Sequence, residues 1–287
     1  MTLEALLKLA YKKVNEKSGE EEAAKLLLME LSGLDPHTFF MSMKETVNPE
    51  LEDQFLTKLD LYINEHIPVQ HLIGHSYFFG YPLIVNKHVL IPRPETEQLV
   101  EHVLYYMDTY FDSEHIKLLD LGTGSGCIGL TLAKEEPRLD VTASDISDEA
   151  IKVAALNKEK LNVSAHLIQS DLFQNITGQF DIIVSNPPYI PDSEVVEDVV
   201  SQEPSVALYG GSLGVDFYER ILKEASPYLH DQALIAFEHG YQQKEIIYGF
   251  AVKHYPNAHI IQMKDLAGKD RFTFIGLGDV LNDEINK

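Results

Sequence analysis

Apolar side chains in the first 75 residues recur at helical spacing. One helical face would carry the set Leu3, Leu6, Leu7, Ala10 and Val14. The runs "AAKLLLMEL" and "LEDQFLTKLDLYI" continue this pattern. Ser18 and Glu21 have the spacing of a capping box before the first run, and Pro49 opens the second, where a first helical turn tolerates proline. We therefore predict an all-helical domain over residues 1–75.

The pattern changes between residues 76 and 92. The stretch "YFFGYPLIVNKHVLI" is rich in aromatic and β-branched residues, and Asn86 and Lys87 separate its two apolar runs. Two such runs around a short polar pair predict a β-hairpin, which would form a linker over 76–92. Helical spacing then resumes in "PRPETEQLVEHVLYYM".

Strand-like and helix-like segments alternate from residue 116 onward. Predicted strands cover 116–121, 140–145, 165–170, 180–185, 232–239, 258–264 and 271–277, and predicted helices cover 127–136, 148–161, 215–229 and 241–254. This alternation predicts an α/β fold, with a doubly wound, seven-stranded and mostly parallel sheet. The last two strands are close enough in sequence to form an antiparallel pair at one edge. Residues 93–287 would form this second domain.

Net charge and cysteine content argue against several classes of protein. The formal net charge of −22 repels phosphates, and no basic patch is visible, so we expect no nucleic acid partner. The single cysteine, Cys127, excludes a disulfide framework and a cysteine-based zinc site, and we expect no metal. The start "MTLEALLKLA" is acidic where a signal peptide is basic, and no apolar stretch approaches the ~18 residues of a membrane helix. We expect a cytoplasmic protein without membrane contact.

A glycine-rich turn follows the first strand of the predicted sheet. Gly122, Gly124 and Gly126 alternate with Thr123 and Ser125 in "DLGTGSG". Such a turn allows positive φ and lets a ligand approach backbone N–H groups at a helix start. Asp145 ends the next predicted strand, where a carboxylate can accept both hydroxyls of a ribose. The alternative is a plain turn with a helix-capping acid.

The glycine spacing favours one nucleoside ligand over another. The dinucleotide fingerprint G-x-G-x-x-G is off by one here, whereas "DLGTGSG" resembles the first motif of S-adenosylmethionine (SAM) methyltransferases. At the end of the third strand, Asp171 can accept the adenine amino group, with Leu172 or Phe173 against the ring. A helix-capping role for Asp171 is an equal alternative.

The segment "SNPPYI" follows the fourth predicted strand, at the rim of the same crevice. Pro187 and Pro188 have no N–H, so the segment offers acceptors: the Asn186 side-chain oxygen and backbone carbonyls. Two acceptors suit a substrate –NH2 group and can hold its nitrogen toward a methyl donor, with Tyr189 as a wall of the site. We therefore expect Asn186 and Pro187 to be catalytic, Pro188 and Tyr189 to bind substrate, and Asn186 also to contact the cofactor. The alternative is a rigid turn.

Several motifs together resemble one family. They are "FFG", "VLIPRPETEQLVE", "DLGTGSGCIGL", "SNPPYI", "EPSVALYGG" and "DLAGKDRF", which span nearly the whole chain. The chain resembles the HemK or PrmC family of protein-(glutamine-N(5)) methyltransferases, which modify peptide chain release factors. The resemblance implies a helical substrate-recognition domain, a hairpin linker and a catalytic domain with a methyltransferase-type Rossmann-like sheet. It implies methyl transfer from SAM to the glutamine of the Gly-Gly-Gln motif in class-1 release factors, and we expect a monomer.

The same resemblance assigns site residues and shows departures. SAM contacts would fall on Gly122 to Gly126, on Asp145 and near Leu172, and the substrate amide on Asn186 to Tyr189. Departures are His71, Leu83, the sequence "GGSLG" and His239, which affect packing more than chemistry. We assign Glu95 and Glu97 to a polar first helical turn and leave Arg93 open.

Three other functions fit parts of the sequence. An amino-methyltransferase acting on adenine or another ring amine in nucleic acid uses the same acceptor chemistry, but the net charge of −22 argues against it. A NAD-dependent oxidoreductase is disfavoured by the glycine spacing. A non-catalytic SAM-binding protein is the third.

Overall fold

The structure is a computed structural model that describes residues 1–17 and 19–283. The chain divides into two compact units: residues 1–75 together with 196–202, and residues 76–195 together with 203–287. The proposed cap Ser18 lies outside the described residues. The short segment 196–202 contributes Val199 to the core of the first unit, a placement that no local pattern predicts.

The first unit is helical, as predicted. Its helices are α1 (Leu3–Asn15), α2 (Glu21–Ser32), α3 (Pro36–Met41), α4 (Pro49–Glu65) and α5 (Val69–Ile73). Side chains at three N-caps accept backbone N–H groups, and these caps are Thr2, Asp35 and Asn48. The helices bury one shared apolar core that includes Leu6, Leu27, Phe39 and Phe55.

A two-stranded hairpin follows, built from β1 (His75–Phe78) and β2 (Tyr81–Ile84). Its turn is formed by Phe79 and Gly80, whose φ values are 53° and 79°. Two successive residues with positive φ match the twist of a hairpin. The predicted turn at Asn86 and Lys87 is wrong, because Asn86 Oδ1 accepts the N–H of His88 in an irregular segment after β2.

Seven strands form the sheet of the second unit. They are β3 (Ile116–Leu121), β4 (Leu139–Asp145), β5 (His166–Gln169), β6 (Phe180–Ser185), β7 (Leu229–Glu238), β8 (His259–Lys264) and β9 (Asp270–Leu277). Their order is β5-β4-β3-β6-β7-β9-β8, with the first five parallel and β9 antiparallel to both neighbours. The predicted doubly wound, seven-stranded sheet is therefore confirmed, with the antiparallel pair at one edge.

Helices cover both faces of the sheet. They are α6 (Pro94–Tyr110), α7 (Cys127–Glu135), α8 (Asp148–Leu161), the short α9 (Ser205–Leu208), α10 (Asp216–Glu224) and α11 (Lys244–His254). Two separate apolar clusters fill the two faces. The predicted helix over 215–229 ends earlier, because Pro227 lies in a 3-10 turn, and β7 begins at Leu229.

Residues 76–84 of the hairpin pack within the second unit, to which they belong. Phe78 and Leu83 are buried in the same cluster as the α6 side chains, and the Asn157 side chain pairs with both backbone groups of Ile84. Over 1–17 and 19–283, every helix is too short or too polar for a membrane span.

Candidate functional site

Three neighbouring strands end in line at one edge of the sheet. Leu121 of β3 pairs with Ser144 of β4 on one side and with Ser185 of β6 on the other. The loops that leave these strands therefore begin next to one another, which is where doubly wound sheets bind ligands. We call residues 122–126 the glycine loop and residues 186–189 the proline loop.

The glycine loop is open on one side and packed on the other. Gly122, Gly124 and Gly126 all have positive φ, between 56° and 83°. A Cβ on Gly122 or Gly124 would meet no atom within 4 Å, whereas a Cβ on Gly126 would lie 2.4 Å from Leu130 Cδ1. The first two glycines thus keep space in front of the loop empty, and the third allows the loop to pack on α7.

A buried carboxylate behind the glycine loop holds its shape. Asp120 Oδ2 accepts hydrogen bonds from Thr123 Oγ1 at 2.6 Å and from the N–H of Gly129 at 2.9 Å. Burial raises the pKa of Asp120 to about 6, and these two hydrogen bonds oppose the rise. Thr123 and Ser125 are buried as well. Thr123, Ser125 and Gly126 are buried and are not among the residues that line the cavity with Gly122 and Gly124, so their contact with the cofactor stays a prediction.

Asp145 lies beside the glycine loop at the end of β4. Its Oδ2 accepts the N–H of Gly124 and its Oδ1 accepts the N–H of Ser147, both at 2.9 Å. Burial raises the pKa of Asp145. The cap of α8 is Ser147, whose side chain accepts the N–H of Ala150, so Asp145 does not act as this cap. Each carboxylate oxygen of Asp145 keeps acceptor capacity for a ligand.

One cavity brings together most of the predicted site residues. Among the residues on its wall are Gly122, Gly124, Asp145, Asp171, Leu172, Asn186, Pro187 and Pro188. Sequence reasoning missed other wall residues, which come from the segment after β2 and from α9 and α10: His88, Leu90, Val206, Phe217 and Arg220. Leu90 and Val206 lie in two motifs of the family resemblance, "VLIPRPETEQLVE" and "EPSVALYGG", but the placement of all five on the cavity wall depends on tertiary packing.

The segment after β5 is partly as predicted. Asp171 Oδ1 accepts a hydrogen bond from Arg220 at 3.0 Å, and Leu172 has a positive φ of 47° and lines the cavity. No helix lies between β5 and β6, so Asp171 does not cap one. Of the two alternatives for a ligand ring, Leu172 lines the cavity, whereas the buried ring of Phe173 stacks on Tyr228 with centroids 4.7 Å apart.

The proline loop presents its first three residues to the cavity. Pro187 and Pro188 line it, and Asn186 Nδ2 donates a hydrogen bond to Thr96 Oγ1 at 3.3 Å. Tyr189 does not line this cavity; its partly buried ring packs against the core, and burial raises its pKa to about 12. Its carbonyl accepts Gln243 Nε2 at 2.7 Å, and a contact of Tyr189 with the substrate stays a prediction.

A buried acid lies behind the proline loop. Glu238 ends β7 and is 1% exposed, and its Oε2 has no hydrogen-bond partner among the described residues. Burial raises the pKa of Glu238 to about 7, while hydrogen bonding to Thr96 and the charge of Arg271 oppose the rise. The sequence carries a signal for this buried acid, since "ALIAFE" is an apolar strand that ends on a glutamate.

The "IPRPETE" segment has structural roles. Arg93 forms an ion pair at 2.5 Å with Glu203, and the other oxygen of Glu203 accepts the N–H of Ile91. Glu97 accepts the N–H of Phe79 in the hairpin turn, and Glu95 lies in the first turn of α6, as expected.

Comparison with known proteins identifies relatives of the whole chain. A model of the methyltransferase small domain matches residues 99–227, and a model of the PrmC N-terminal domain matches residues 5–74. The release factor glutamine methyltransferase of Bacillus anthracis is 38% identical over 274 residues, which are 93% of this chain and 96% of the relative. That of Streptococcus pneumoniae is 39% identical over 266 residues, covering 91% and 94%.

A solved structure adds evidence on the fold alone. A methyltransferase from Pyrococcus furiosus superimposes with a TM-score of 0.52 at 18% identity, over 80% of this chain and 98% of that one. The seven-stranded sheet fits the fold of this solved methyltransferase, and the two relatives each match more than nine-tenths of the chain. The chain belongs to the release factor glutamine methyltransferase family.

Proposed function

We propose that the protein transfers the methyl group of SAM to the side-chain amide nitrogen of the glutamine in the Gly-Gly-Gln motif of class-1 release factors. One observation carries the proposal: a single cavity is lined by the glycine loop and Asp145 on one side and by the proline loop on the other. Relatives of nearly the same length carry the name of this activity.

The cofactor side of the cavity fits a nucleoside with an amino acid tail. Gly122 and Gly124 leave open space in front of their backbone, which any side chain would fill. Asp145 has two oxygens for a ribose diol, and Leu172 offers an apolar surface for an adenine ring. SAM, when bound, supplies an electrophilic methyl group on a sulfonium.

The substrate side fits a primary amide. Asn186 Oδ1 and the Pro187 carbonyl would accept the two amide hydrogens and so orient the nitrogen. Because the amide lone pair is normally delocalised, acceptors that favour the pyramidal nitrogen lower the barrier by electrostatic preorganisation. Alignment of nitrogen and methyl contributes on the order of 7–11 kcal/mol. The methylated nitrogen then loses its proton to water.

We further propose that the helical first unit recognises the release factor. Because such a substrate takes part in translation, we also propose that the protein is cytoplasmic. Its α3 exposes two neighbouring apolar side chains, Phe40 at 56% and Met41 at 74%. Replacing both with serine should raise KM for the intact release factor, while SAM affinity stays unchanged. That the protein acts as a monomer remains a prediction.

Transfer of a tritiated methyl group from SAM tests the proposed function. We expect label on a purified class-1 release factor and none on the same protein with its Gly-Gly-Gln glutamine replaced by alanine. Adenine-containing DNA and RNA oligonucleotides serve as rival substrates. Label on an oligonucleotide but not on the release factor would replace this proposal with a nucleic acid amino-methyltransferase.

A further inference from the structure

The side chain of Asn186 is held from behind the cavity wall by two buried groups. Its Nδ2 donates to Thr96 Oγ1 at 3.3 Å. Ser185 pairs with Phe237 in the parallel sheet, so Asn186 and Glu238 follow side by side at adjacent strand ends, and both Thr96 and Asn186 lower the pKa of the Glu238 carboxyl. Thr96 and Glu238 are 2% and 1% exposed, so water does not replace these contacts. The three groups come from α6, from the proline loop and from the end of β7.

The direction of each hydrogen bond follows from what each group can donate. An ionised carboxylate only accepts, so a hydrogen bond between Thr96 and Glu238 must use the one hydrogen of the Thr96 hydroxyl. Thr96 Oγ1 is then left to accept from Asn186. Both neighbours of the Asn186 amide therefore call for its NH2 group, and its Oδ1 lies on the opposite side, toward the cavity that Asn186 lines.

We propose that Glu238 is a positioning residue which, directly and through Thr96, holds the Asn186 amide with Oδ1 directed at the substrate amide. This inference rests on the proposed function. It adds to that function a reason for the orientation of Asn186: the charged Glu238 selects the orientation in which Oδ1 can accept from the substrate. Protonated Glu238 would itself donate, so the reversed amide, with NH2 toward the substrate, would no longer be excluded.

The surroundings of Glu238 place its titration near neutral pH. Burial raises the pKa of Glu238 to about 7; Arg271 opposes this rise and Glu95 adds to it. Arg271 is held in place by Asp265 Oδ2 and by the carbonyl of His239. The titratable and charged groups that face Glu238 from the packed elements are Glu95, Cys127, Tyr189, Tyr218 and Arg271.

The sign of the pH effect follows. Above about pH 7 Glu238 is ionised and the productive Asn186 orientation is selected; below it, protonation releases this selection. Turnover on the release factor should therefore fall as the pH drops through 7. Affinity for SAM should stay level, because Asn186 Oδ1 faces the substrate.

The Glu238→Gln variant tests the role. At pH 8 we expect kcat to fall about 10-fold to 100-fold, as a small misplacement of a positioned group can cost about 10²-fold. KM for the release factor and Kd for SAM should stay within about twofold, and the pH step near 7 should vanish. A variant that keeps both the wild-type kcat and the step would overturn the proposal.

Two further variants act on the network without changing Glu238. Thr96→Val should lower kcat and Thr96→Ser should restore it, because serine keeps the hydroxyl. Glu95→Gln is the matched charge control: it should keep the plateau activity and move the midpoint to lower pH, since Glu95 raises the pKa of Glu238. Equal activity of the Val and Ser variants would contradict the proposed connection from Glu238 through the Thr96 hydroxyl to Asn186.

A readout without substrate separates this inference from the proposed function. The side-chain 15N–1H2 signals of Asn186, assigned by their loss in Asn186→Asp, should shift with pH in the wild type and be level in Glu238→Gln. If the release factor is not methylated but these signals titrate, the proposed function fails and the network stands. If methylation occurs and the Asn186 signals ignore pH in the wild type, the network is wrong.

Discussion

The glycine loop and the proline loop leave adjacent strands of one sheet, yet they contribute different features to the cavity. In the glycine loop the N–H groups of Gly122, Gly124 and Gly126 are bonded inside the protein, to the carbonyls of Ser144 and Thr123 and to Asp145, so what the loop provides is open space in front of Gly122 and Gly124. Two prolines remove two N–H groups from the second, so carbonyls and the Asn186 oxygen remain. The difference shows how two loops can sort two ligands in one cavity: a loop without side-chain bulk leaves room for the cofactor, and a loop of acceptors suits an amide.

The groups that support the two loops from behind also differ. Carboxylates of Asp120 and Asp145 accept from the glycine loop and the residues that follow it. The proline loop is held instead by a donor, since Gln243 Nε2 bonds the carbonyl of Tyr189 together with those of Leu213 and Gly214. Acids thus support the glycine loop, and an amide N–H supports the proline loop.

The largest expected effect tests the acceptor role of the proline loop. Asn186→Ala removes the side-chain acceptor, so kcat on the release factor should fall about 10²–10³-fold, the usual loss of one preorganised hydrogen-bonding group. SAM affinity, measured by calorimetry, should change far less. Asn186→Asp keeps an acceptor and should retain more activity than the alanine variant. Near-normal turnover of Asn186→Ala would remove the distinction between the loops.

The second prediction separates the two sides of the glycine loop. Gly126→Ala should lower the free energy of unfolding by about 2–4 kcal/mol, because the positive φ and the clash with Leu130 both oppose a Cβ. Gly122→Ala, with the same backbone strain but open space, should cost about 1–2 kcal/mol and mainly weaken SAM binding. Denaturant unfolding and calorimetry measure the two effects. Equal unfolding free energies would contradict this division.

The third prediction concerns Asp145. Replacing it with alanine should weaken SAM binding by about 1.5–3 kcal/mol, the value of hydrogen bonds to a charged group. Isothermal titration with SAM gives this number, and circular dichroism checks that the fold is intact. Unchanged affinity would place Asp145 outside the cofactor contacts and leave it as a support of Gly124.

The smallest expected effect concerns the support of the proline loop. Gln243→Ala removes one donor group from three carbonyls, and water can replace part of it, so the loss of stability should be about 1–2 kcal/mol. Because the proline loop loosens, kcat should fall more than SAM affinity. A variant that weakens SAM binding and spares kcat would assign Gln243 to the glycine loop instead.

Local pattern predicted the sheet well and the side-chain directions poorly. Apolar runs bounded by turn residues marked all seven strands, since a central parallel strand needs a continuous apolar run. The hairpin turn was misplaced because Phe79 at positive φ is uncommon, and "NK" has the more familiar polar signature. Phe173 follows a strand end as ligand residues do, but its ring is buried in the core against Tyr228.

Contacts between distant segments account for what the site analysis missed. Gly122 to Gly126 and Asn186 to Tyr189 are contiguous motifs, so both loops could be identified from spacing. Thr96, Asn186 and Glu238 meet only after α6, β6 and β7 have packed. An acid at the end of an apolar strand is a usable signal, but its partners come from packing.

The position of β9 between β7 and β8 has a consequence for synthesis. β8 is made first but pairs only with β9, and β7 has an unpaired edge until β9 arrives. A nascent chain therefore cannot close its sheet until residue 277 has left the ribosome, and a chain broken off before Asp270 exposes an open edge that can pair with other chains. Arg271, which faces Glu238, arrives on the same strand. Completion of the sheet and assembly of the charged surroundings of the site are thus one late event in biosynthesis.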